Sequence, residues 1–157
     1  NIRIVFPKII DFCKQNNIAL NGKPFVIYHT YDEKSGLAKI SICVPIKEAI
    51  ITSDGSDIMS DQLEAFPAIK VTLKGDYSHS KEALAKSKSY LNRNVITPDS
   101  KISHLEVFTI SKLDIKNPSK WKTELYLPIK QKNTTPKVVP VTEKISNPET
   151  ETNSSEI

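Results

Sequence analysis

The stretch Thr123-Glu124-Leu125-Tyr126-Leu127-Pro128-Ile129 decides the fold that we predict for this chain. Successive side chains of a β-strand point to opposite faces, so the aliphatic residues share one face while Glu124 and Tyr126 share the other. A close echo lies earlier, at Ile40-Ser41-Ile42-Cys43-Val44-Pro45-Ile46. Each stretch ends in an aliphatic-Pro-Ile step, which marks a strand end because proline cannot donate a hydrogen bond to a sheet. The two stretches therefore predict an internal repeat.

The composition is that of one ordinary folded domain. The chain has 157 residues, of which 38% are hydrophobic and 25% charged, and this is enough for a real core. No apolar run approaches the roughly 20 residues of a membrane-spanning helix. The net charge of +4 is mild and only Arg3 and Arg93 are arginines, so direct nucleic-acid binding is not indicated. Cys13 and Cys43 are interpreted as free thiols, which favours the cytoplasm.

Hydrophobic periodicity predicts two helices and five strands. Apolar residues at helical spacing indicate helices over residues 5–17 and 78–92, and we expect Ser78 to be the N-cap of the second. Alternation and β-branched residues indicate the strands. The predicted strands cover residues 25–31, 37–46, 68–74, 104–110 and 121–129.

These elements predict an α+β domain over residues 1–130. It consists of two pseudo-symmetric strand-helix-strand-strand units, with a curved, mainly antiparallel sheet and two helices on one face. The first unit has no counterpart of the strand at 68–74, and Asn1 is not methionine, so we expect an equivalent strand upstream of Asn1. Residues 131–157 contain no aromatic residue and are rich in Thr, Ser, Pro, Lys and Glu, which predicts a disordered polar tail.

The alternation also assigns residues to the two faces of the sheet. The aliphatic set should meet the helices: Ile27, Ile40, Ile42, Val44, Val107, Leu125 and Leu127. The helix-free face should then gather Val26, Tyr28, Thr30, Ser41, Cys43, Glu106, Phe108, Ile110, Glu124 and Tyr126. Aromatics and carboxylates on such a face have two interpretations, a solvated surface with cross-strand pairs or a concave ligand site with a buried acid.

At this point the pattern resembles the GyrI-like domain, also called the AraC-type effector-binding domain of bacterial transcription activators. The resemblance rests on residues 25–31 with the pattern Tyr-x-x-Tyr-Asp, on Cys43-Val44-Pro45-Ile46, on Gly75-Asp76-Tyr77 and on residues 123–129. It covers about residues 2–130. The chain departs from the family in lacking the first strand and any helix-turn-helix region, so a role in transcription cannot be derived from this chain alone.

The resemblance implies a pocket between the two units for a bulky, hydrophobic and often cationic molecule. The glutamate that marks this pocket in the family falls on Glu124, with Tyr126, Tyr28, Phe108 and Trp121 as aromatic walls. Glu106 and Cys43 join the predicted ligand-binding set because alternation places them on the same face. No catalytic residue, metal or cofactor is predicted.

Two other classes of function stay open. A few relatives resemble hydrolases that act on strained small molecules, which would give Glu124 an acid/base role with Tyr126 or Tyr28. The aromatic face could instead take a protein partner. The sequence has no Gly-x-Ser-x-Gly elbow or phosphate-binding glycine loop, so the main expectation is a sensor or sequestering module whose partner is a small molecule.

Overall fold

The computed structural model describes residues 2–131, apart from the side chain of Arg3, so the predicted tail lies almost wholly outside the described residues. Two short 3₁₀ turns, Tyr77–His79 and Pro118–Lys120, accompany the main elements. Those elements are α1 (Ile2–Gln15), β1 (Phe25–Tyr31), β2 (Ala38–Cys43), β3 (Ala68–Lys74), α2 (Ser80–Arg93), β4 (His104–Ile110) and β5 (Lys122–Pro128).

The sheet has the strand order β2-β1-β4-β5-β3, and all four pairings are antiparallel. Helix α1 packs on β2 and α2 packs on β3, and both helices lie on the same face of the sheet. The predicted α+β class is therefore confirmed. Strand β2 is an edge of the described sheet, on the side where the repeat predicts a further strand.

The core consists of two clusters, one under each helix. The cluster under α1 joins Phe6 to Val26 and Phe108 of the sheet. The cluster under α2 joins Leu84 and Leu91 to two leucines of β5, Leu125 and Leu127. Each helix thus buries its apolar stripe on the same face of the sheet, α1 over β1, β2 and part of β4, and α2 over β3 and β5.

Matching irregularities in the two units confirm the internal repeat. Strand β1 has a register shift between Tyr28 and Thr30, and β4 has one between Phe108 and Ile110. The residues after the helices pair with the last strand of each unit in the same way, through the bridges Leu20↔Ile46 and Pro98↔Ile129. The shifts align Tyr28 with Phe108, and that alignment fixes the other equivalent positions of β1 and β4.

The two helices also end alike. The amide of Asn16 donates to the carbonyl of Phe12, and the amide of Asn94 donates to the carbonyl of Tyr90. The next residue has a positive φ in both units, 55° at Asn17 and 53° at Val95. Asparagine tolerates this left-handed conformation far better than a β-branched residue does, so the second unit keeps the turn at some cost in strain.

The helix starts differ from the predictions. Helix α1 begins at Ile2 rather than at residue 5 and continues through Pro7. Pro7 lies past the first turn of α1, so it removes the hydrogen bond to the carbonyl of residue 3, and the helix nevertheless continues through it. Ser78 is not the N-cap of α2. The Asp76 side chain caps the 3₁₀ turn by accepting from the Ser78 amide at 2.8 Å, and α2 follows from Ser80.

Three strands have the predicted bounds, and two are shorter. Strands β1, β3 and β4 match the predicted ranges, whereas β2 and β5 end before the aliphatic-Pro-Ile step is complete. Pro45 and Pro128 accept hydrogen bonds from the chain that follows each helix, which extends the pairing beyond the regular strands. Within the described part of the chain, neither helix is long and apolar enough to cross a membrane.

Candidate functional site

The strand register determines which side chains share a face of the sheet. Residues that lie directly opposite each other in an antiparallel pair point to the same side. One such row crosses the sheet through Ile42, Val26, Glu106, Leu125 and Val71. Since Leu125 packs against α2, this row faces the helices. Glu106 therefore lies on the helix side of the sheet.

The predicted faces are right for the outer strands and wrong for the central ones. Ile40, Ile42, Val44, Leu125 and Leu127 face the helices as expected. Strands β1 and β4 are inverted, because they carry large apolar residues on both faces and alternation alone does not orient them. Ile27 and Val107 lie on the helix-free face, and the residues moved to the helix side are Val26, Tyr28, Glu106 and Phe108.

The predicted ligand-binding set is therefore divided by the sheet. Tyr28, Glu106 and Phe108 lie on the helix side, and Trp121 joins them because its indole stacks on Tyr77, which contacts Phe108. Cys43, Glu124 and Tyr126 lie on the opposite face. The seven residues do not form one site.

The helix-side residues build an acid–aromatic cluster, which we define as Tyr28, Tyr31, His104 and Glu106. The rings of Tyr28 and His104 are stacked, with centroids 4.1 Å apart and planes 11° from parallel. Tyr31 meets both rings edge-on, at 6.1 Å from Tyr28 and 6.0 Å from His104. Two aromatic rings, Tyr28 and His104, thus lie beside the Glu106 carboxylate, and Tyr31 packs edge-on against both of them.

Glu106 is buried but has few polar contacts. Only 6% of the residue is exposed to solvent. The Tyr28 hydroxyl donates to Glu106 Oε2 over a long distance of 3.4 Å. His104 Nε2 lies 3.8 Å from Oε1, which is beyond hydrogen-bond distance. No lysine or arginine of the described residues pairs with this carboxylate. A buried charge normally has close partners, so Glu106 is suited to accept a further cationic one.

The Tyr28 hydroxyl stays protonated in this setting. Burial, and after it the negative charge of Glu106, raise the pKa of the Tyr28 phenol well above its usual range. The phenol therefore remains a hydrogen-bond donor at any physiological pH, and it orients one oxygen of Glu106.

A second aromatic group lies on the same side, at the other end of β4. Phe108 meets Phe6 of α1 and Tyr77 edge-on, with centroids 6.0 and 5.5 Å apart. Tyr77 stacks on Trp121 at 4.6 Å. The indole Nε1 of Trp121 donates to the carbonyl of Ile115 at 2.7 Å, so this ring is held in place. Trp121 is thus a fixed optical reporter near the helix-side face.

Glu124 is a well-compensated carboxylate on the helix-free face. The Tyr126 hydroxyl donates to Glu124 Oε2 at 2.8 Å, and Lys122 and Lys70 lie 3.3 and 3.6 Å from Oε1. The hydrogen bond from Tyr126, with help from the two lysines, lowers the pKa of Glu124. A carboxylate with a lowered pKa is a weak general base at neutral pH, which argues against the acid/base role considered for Glu124 and Tyr126.

Cys43 shares the helix-free face with Glu124 but lies far from it. The row Cys43, Phe25, Val107 and Glu124 spans three strand spacings, or about 14 Å. Burial raises the pKa of the Cys43 thiol, so it is an unreactive side chain. Neither residue contributes to the acid–aromatic cluster.

Replacing Tyr126 by phenylalanine is expected to lower the free energy of unfolding by about 1 kcal/mol at pH 7, because a hydrogen bond to a charged group is lost. The lowered pKa of Glu124 stabilises the fold above the usual glutamate range, and this contribution fades as the pH falls through the folded-state pKa. Urea unfolding of both proteins at several pH values between about 3 and 7 measures the difference. A difference in the free energy of unfolding between the two proteins that stays constant down to acid pH would contradict a stabilising hydrogen bond from Tyr126 to ionised Glu124.

Two concave spaces lie along α2. The larger, of about 420 Å³, is lined by Val71 and Leu73 of β3 together with His79 and Glu82 and does not include the predicted site. The smaller, of about 200 Å³, is lined by Leu91, Leu127 and Ser103 among others. Ser103 directly precedes His104 and hydrogen-bonds its ring at 3.0 Å. The smaller space therefore approaches the acid–aromatic cluster from one end.

The sequence prediction missed two members of the acid–aromatic cluster. The predicted ligand-binding set contains neither His104 nor Tyr31, although Tyr31 is the second tyrosine of the Tyr-x-x-Tyr-Asp pattern. The signal that could have found His104 is its spacing, two residues before Glu106 on one strand, which puts both side chains on the same face. The stacking on Tyr28 depends on the register between β1 and β4, and no local pattern specifies that register.

Comparison with known proteins shows the fold. The C-terminal domain of EcmrR superimposes with a TM-score of 0.73 at 17% identity, covering 83% of this chain and 82% of that domain. EcmrR in its complex with DNA gives a TM-score of 0.74 at 17% identity, and there this chain spans 48% of the EcmrR chain. An uncharacterized conserved protein from Listeria innocua gives 0.52 at 16% identity, covering 69% of this chain and 64% of that one.

No family model and no curated protein matches the sequence. The resemblance to the GyrI-like family thus stays a prediction at the level of the family. At 17% identity, the likeness to the EcmrR C-terminal domain shows the fold of this chain.

Proposed function

We propose that this domain binds a hydrophobic small-molecule cation on the helix side of its sheet and acts as a sensor or sequestering module. The observation that supports this most directly is Glu106, a carboxylate with 6% exposure whose two polar contacts are long, at 3.4 and 3.8 Å. A cationic ligand would supply the counter-charge that this buried acid lacks.

The rings around Glu106 favour the same class of ligand. Tyr28 and His104 offer aromatic surface beside the acid, and Tyr31 extends this surface by packing edge-on against both rings. An aromatic face attracts a cation by about 0.5–2 kcal/mol, depending on how far the cation is desolvated. Carboxylate and rings together therefore select a charged ligand with apolar substituents over a hydrated inorganic cation.

Thr123 is a further buried polar residue on this side of the sheet. Thr123 lies directly opposite Phe108 and is fully buried. Its hydroxyl makes no hydrogen bond within residues 2–131. Unsatisfied buried polar atoms are uncommon in native proteins, and a bound ligand, ion or water is a common reason for one.

Access to the acid requires side-chain movement. The Tyr28 ring covers the His104 ring at 4.1 Å, so a ligand that reaches Glu106 must displace one of them or enter through the space beside Ser103. Tyr28 and Tyr31 are only half-buried, so their side chains can rotate toward solvent. The fold of EcmrR, a protein solved on DNA, supports a regulatory use of such binding.

The test uses dibenzyldimethylammonium and its neutral isostere, in which a quaternary carbon replaces the nitrogen. Trp121 fluorescence reports the titration, since Trp121 is the single tryptophan of the chain and stacks against the helix-side aromatic group. We expect saturable binding of the cation and binding of the neutral compound at least about tenfold weaker. Equal affinity for the two compounds, or no binding of either by equilibrium dialysis, would refute the proposal.

A further inference from the structure

The acid lies at the centre of the repeat. The matched register shifts align Tyr28 of β1 with Phe108 of β4, and two residues earlier on each strand they align Val26 with Glu106. Val26 and Glu106 are also direct partners across the β1–β4 pairing. A pair of equivalent residues that face each other marks the pseudo-twofold axis of the two units. Glu106 therefore sits at that axis, with a fully buried valine as its counterpart.

Aromatic groups flank the axis on both sides. Tyr28 and Phe108 are equivalent positions, so each unit supplies one ring, and the two rings lie on opposite sides of Glu106 along the strand direction. Tyr28 lies opposite His104, which is four residues from Phe108 on β4, so their rows are roughly 13 Å apart. Tyr31 extends the first aromatic group, and Tyr77 extends the second. One carboxylate thus lies midway between two aromatic walls.

Charges near the ends of this arrangement are already paired. Glu33, in the turn after β1, pairs with Lys88 of α2. Lys23, just before β1, pairs with Asp114 in the loop after β4, with Nζ and Oδ1 2.8 Å apart. A ligand with its charge at one tip would therefore meet a neutralised acid at either end, while its apolar body would lie over Glu106.

The geometry points to a defined class of ligand: a cation whose charge is central and carries an apolar, preferably aromatic, arm on each side. This inference rests on the proposed function, because it specifies the ligand of the same site. The inferred class excludes linear amphiphiles with a terminal charge. Such molecules have enough apolar surface for the site, but their charge would lie against an aromatic wall instead of beside Glu106.

The test compares two isomers of identical composition and charge. Dibenzyldimethylammonium has its nitrogen between two phenyl rings, and biphenylmethyl-trimethylammonium has its nitrogen at one end of two joined rings. We expect the central isomer to bind about tenfold more tightly in competition titrations followed by Trp121 fluorescence. The ratio of the two affinities is the readout, so modest changes in overall stability do not affect the conclusion.

Two variants locate the arms. Tyr28→Leu and Phe108→Leu should each weaken the central isomer by about three- to tenfold, because each removes one wall, and the terminal isomer should respond to only one of them. Circular dichroism and the unfolding midpoint check that each variant is folded. A Phe108→Leu protein that is folded and binds the central isomer with unchanged affinity would refute the role of the second wall.

The outcomes separate the two levels of the proposal. Equal affinities, or tighter binding of the terminal isomer, with both lost in Glu106→Gln, would overturn the central-charge inference and leave the proposed function standing. Absence of binding for both isomers would overturn both. A tenfold preference for the central isomer that disappears in Glu106→Gln supports both.

Discussion

Replacing Glu106 by glutamine is expected to weaken the binding of dibenzyldimethylammonium by at least about thirtyfold. The substitution keeps the size of the side chain and removes its charge, so the ligand nitrogen loses its buried counter-charge. Truncating one partner of a desolvated charge pair costs about 2 kcal/mol or more, which corresponds to this factor. Isothermal titration calorimetry of the wild-type and variant domains gives the two dissociation constants directly.

Glu124→Gln is the matched control, because it makes the same chemical change on the opposite face of the sheet. Glu124 already has a hydroxyl at 2.8 Å and two lysines nearby, and it points away from the acid–aromatic cluster. We expect its affinity for the cation to stay within about twofold of the wild type. A loss of affinity in Glu124→Gln, with no loss in Glu106→Gln, would instead support the site around Glu124 that the sequence alone predicts.

Replacing Leu125 by alanine is expected to lower the free energy of unfolding by about 3–5 kcal/mol. Leu125 of β5 is fully buried against α2, and it lies directly opposite Glu106 in the register. The loss combines the transfer of the side chain to water with the cavity left under α2. Urea unfolding followed by circular dichroism measures it, with the slope of the transition checked for two-state behaviour.

Ile27→Ala provides the comparison, because Ile27 was predicted to face the helices and instead lies on the helix-free face. Ile27 is only half-buried there, so its loss should cost less than half as much as that of Leu125. The predicted order of the two effects follows from the register Val26↔Glu106 and Glu106↔Leu125. An Ile27→Ala protein that is destabilised as strongly as Leu125→Ala would show that this register is wrong.

Much of the fold follows from patterns that are local in sequence. Alternation of apolar and polar residues gave the bounds of β3, where Ile69, Val71 and Leu73 face the core while Lys70 and Thr72 do not. The repeat was readable because equivalent strands end in the same aliphatic-Pro-Ile step. Such signals need no knowledge of partners, since each element must bury one stripe or face of its own.

The orientation of the two central strands was not readable in this way. In β4, Leu105 and Val107 point to one face while Glu106 and Phe108 point to the other, so both faces contain large apolar residues. A strand that is covered on both sides loses the alternation that reveals which face is inside. Only the pairing of β4 with β1 and β5 determines which face of β4 points to the helices, and this pairing joins residues that are far apart in sequence.

The same limitation explains why the sequence points first to Glu124 rather than to Glu106. Glu124 and Tyr126 were conspicuous as a carboxylate and a phenol on one strand face, and they do hydrogen-bond each other. Glu106 has no such local signal, because its aromatic neighbour Tyr28 comes from a strand 78 residues away in sequence. Burial distinguishes the two acids, and burial is decided by where α1 and α2 pack.

The most direct test of the central claim is the crystal structure of the domain with dibenzyldimethylammonium bound. We predict the ligand nitrogen on the helix side of the sheet, within about 5 Å of the Glu106 carboxylate, with one phenyl ring toward Tyr28 and the other toward Phe108. A ligand seated on the helix-free face beside Glu124 and Tyr126 would contradict the account.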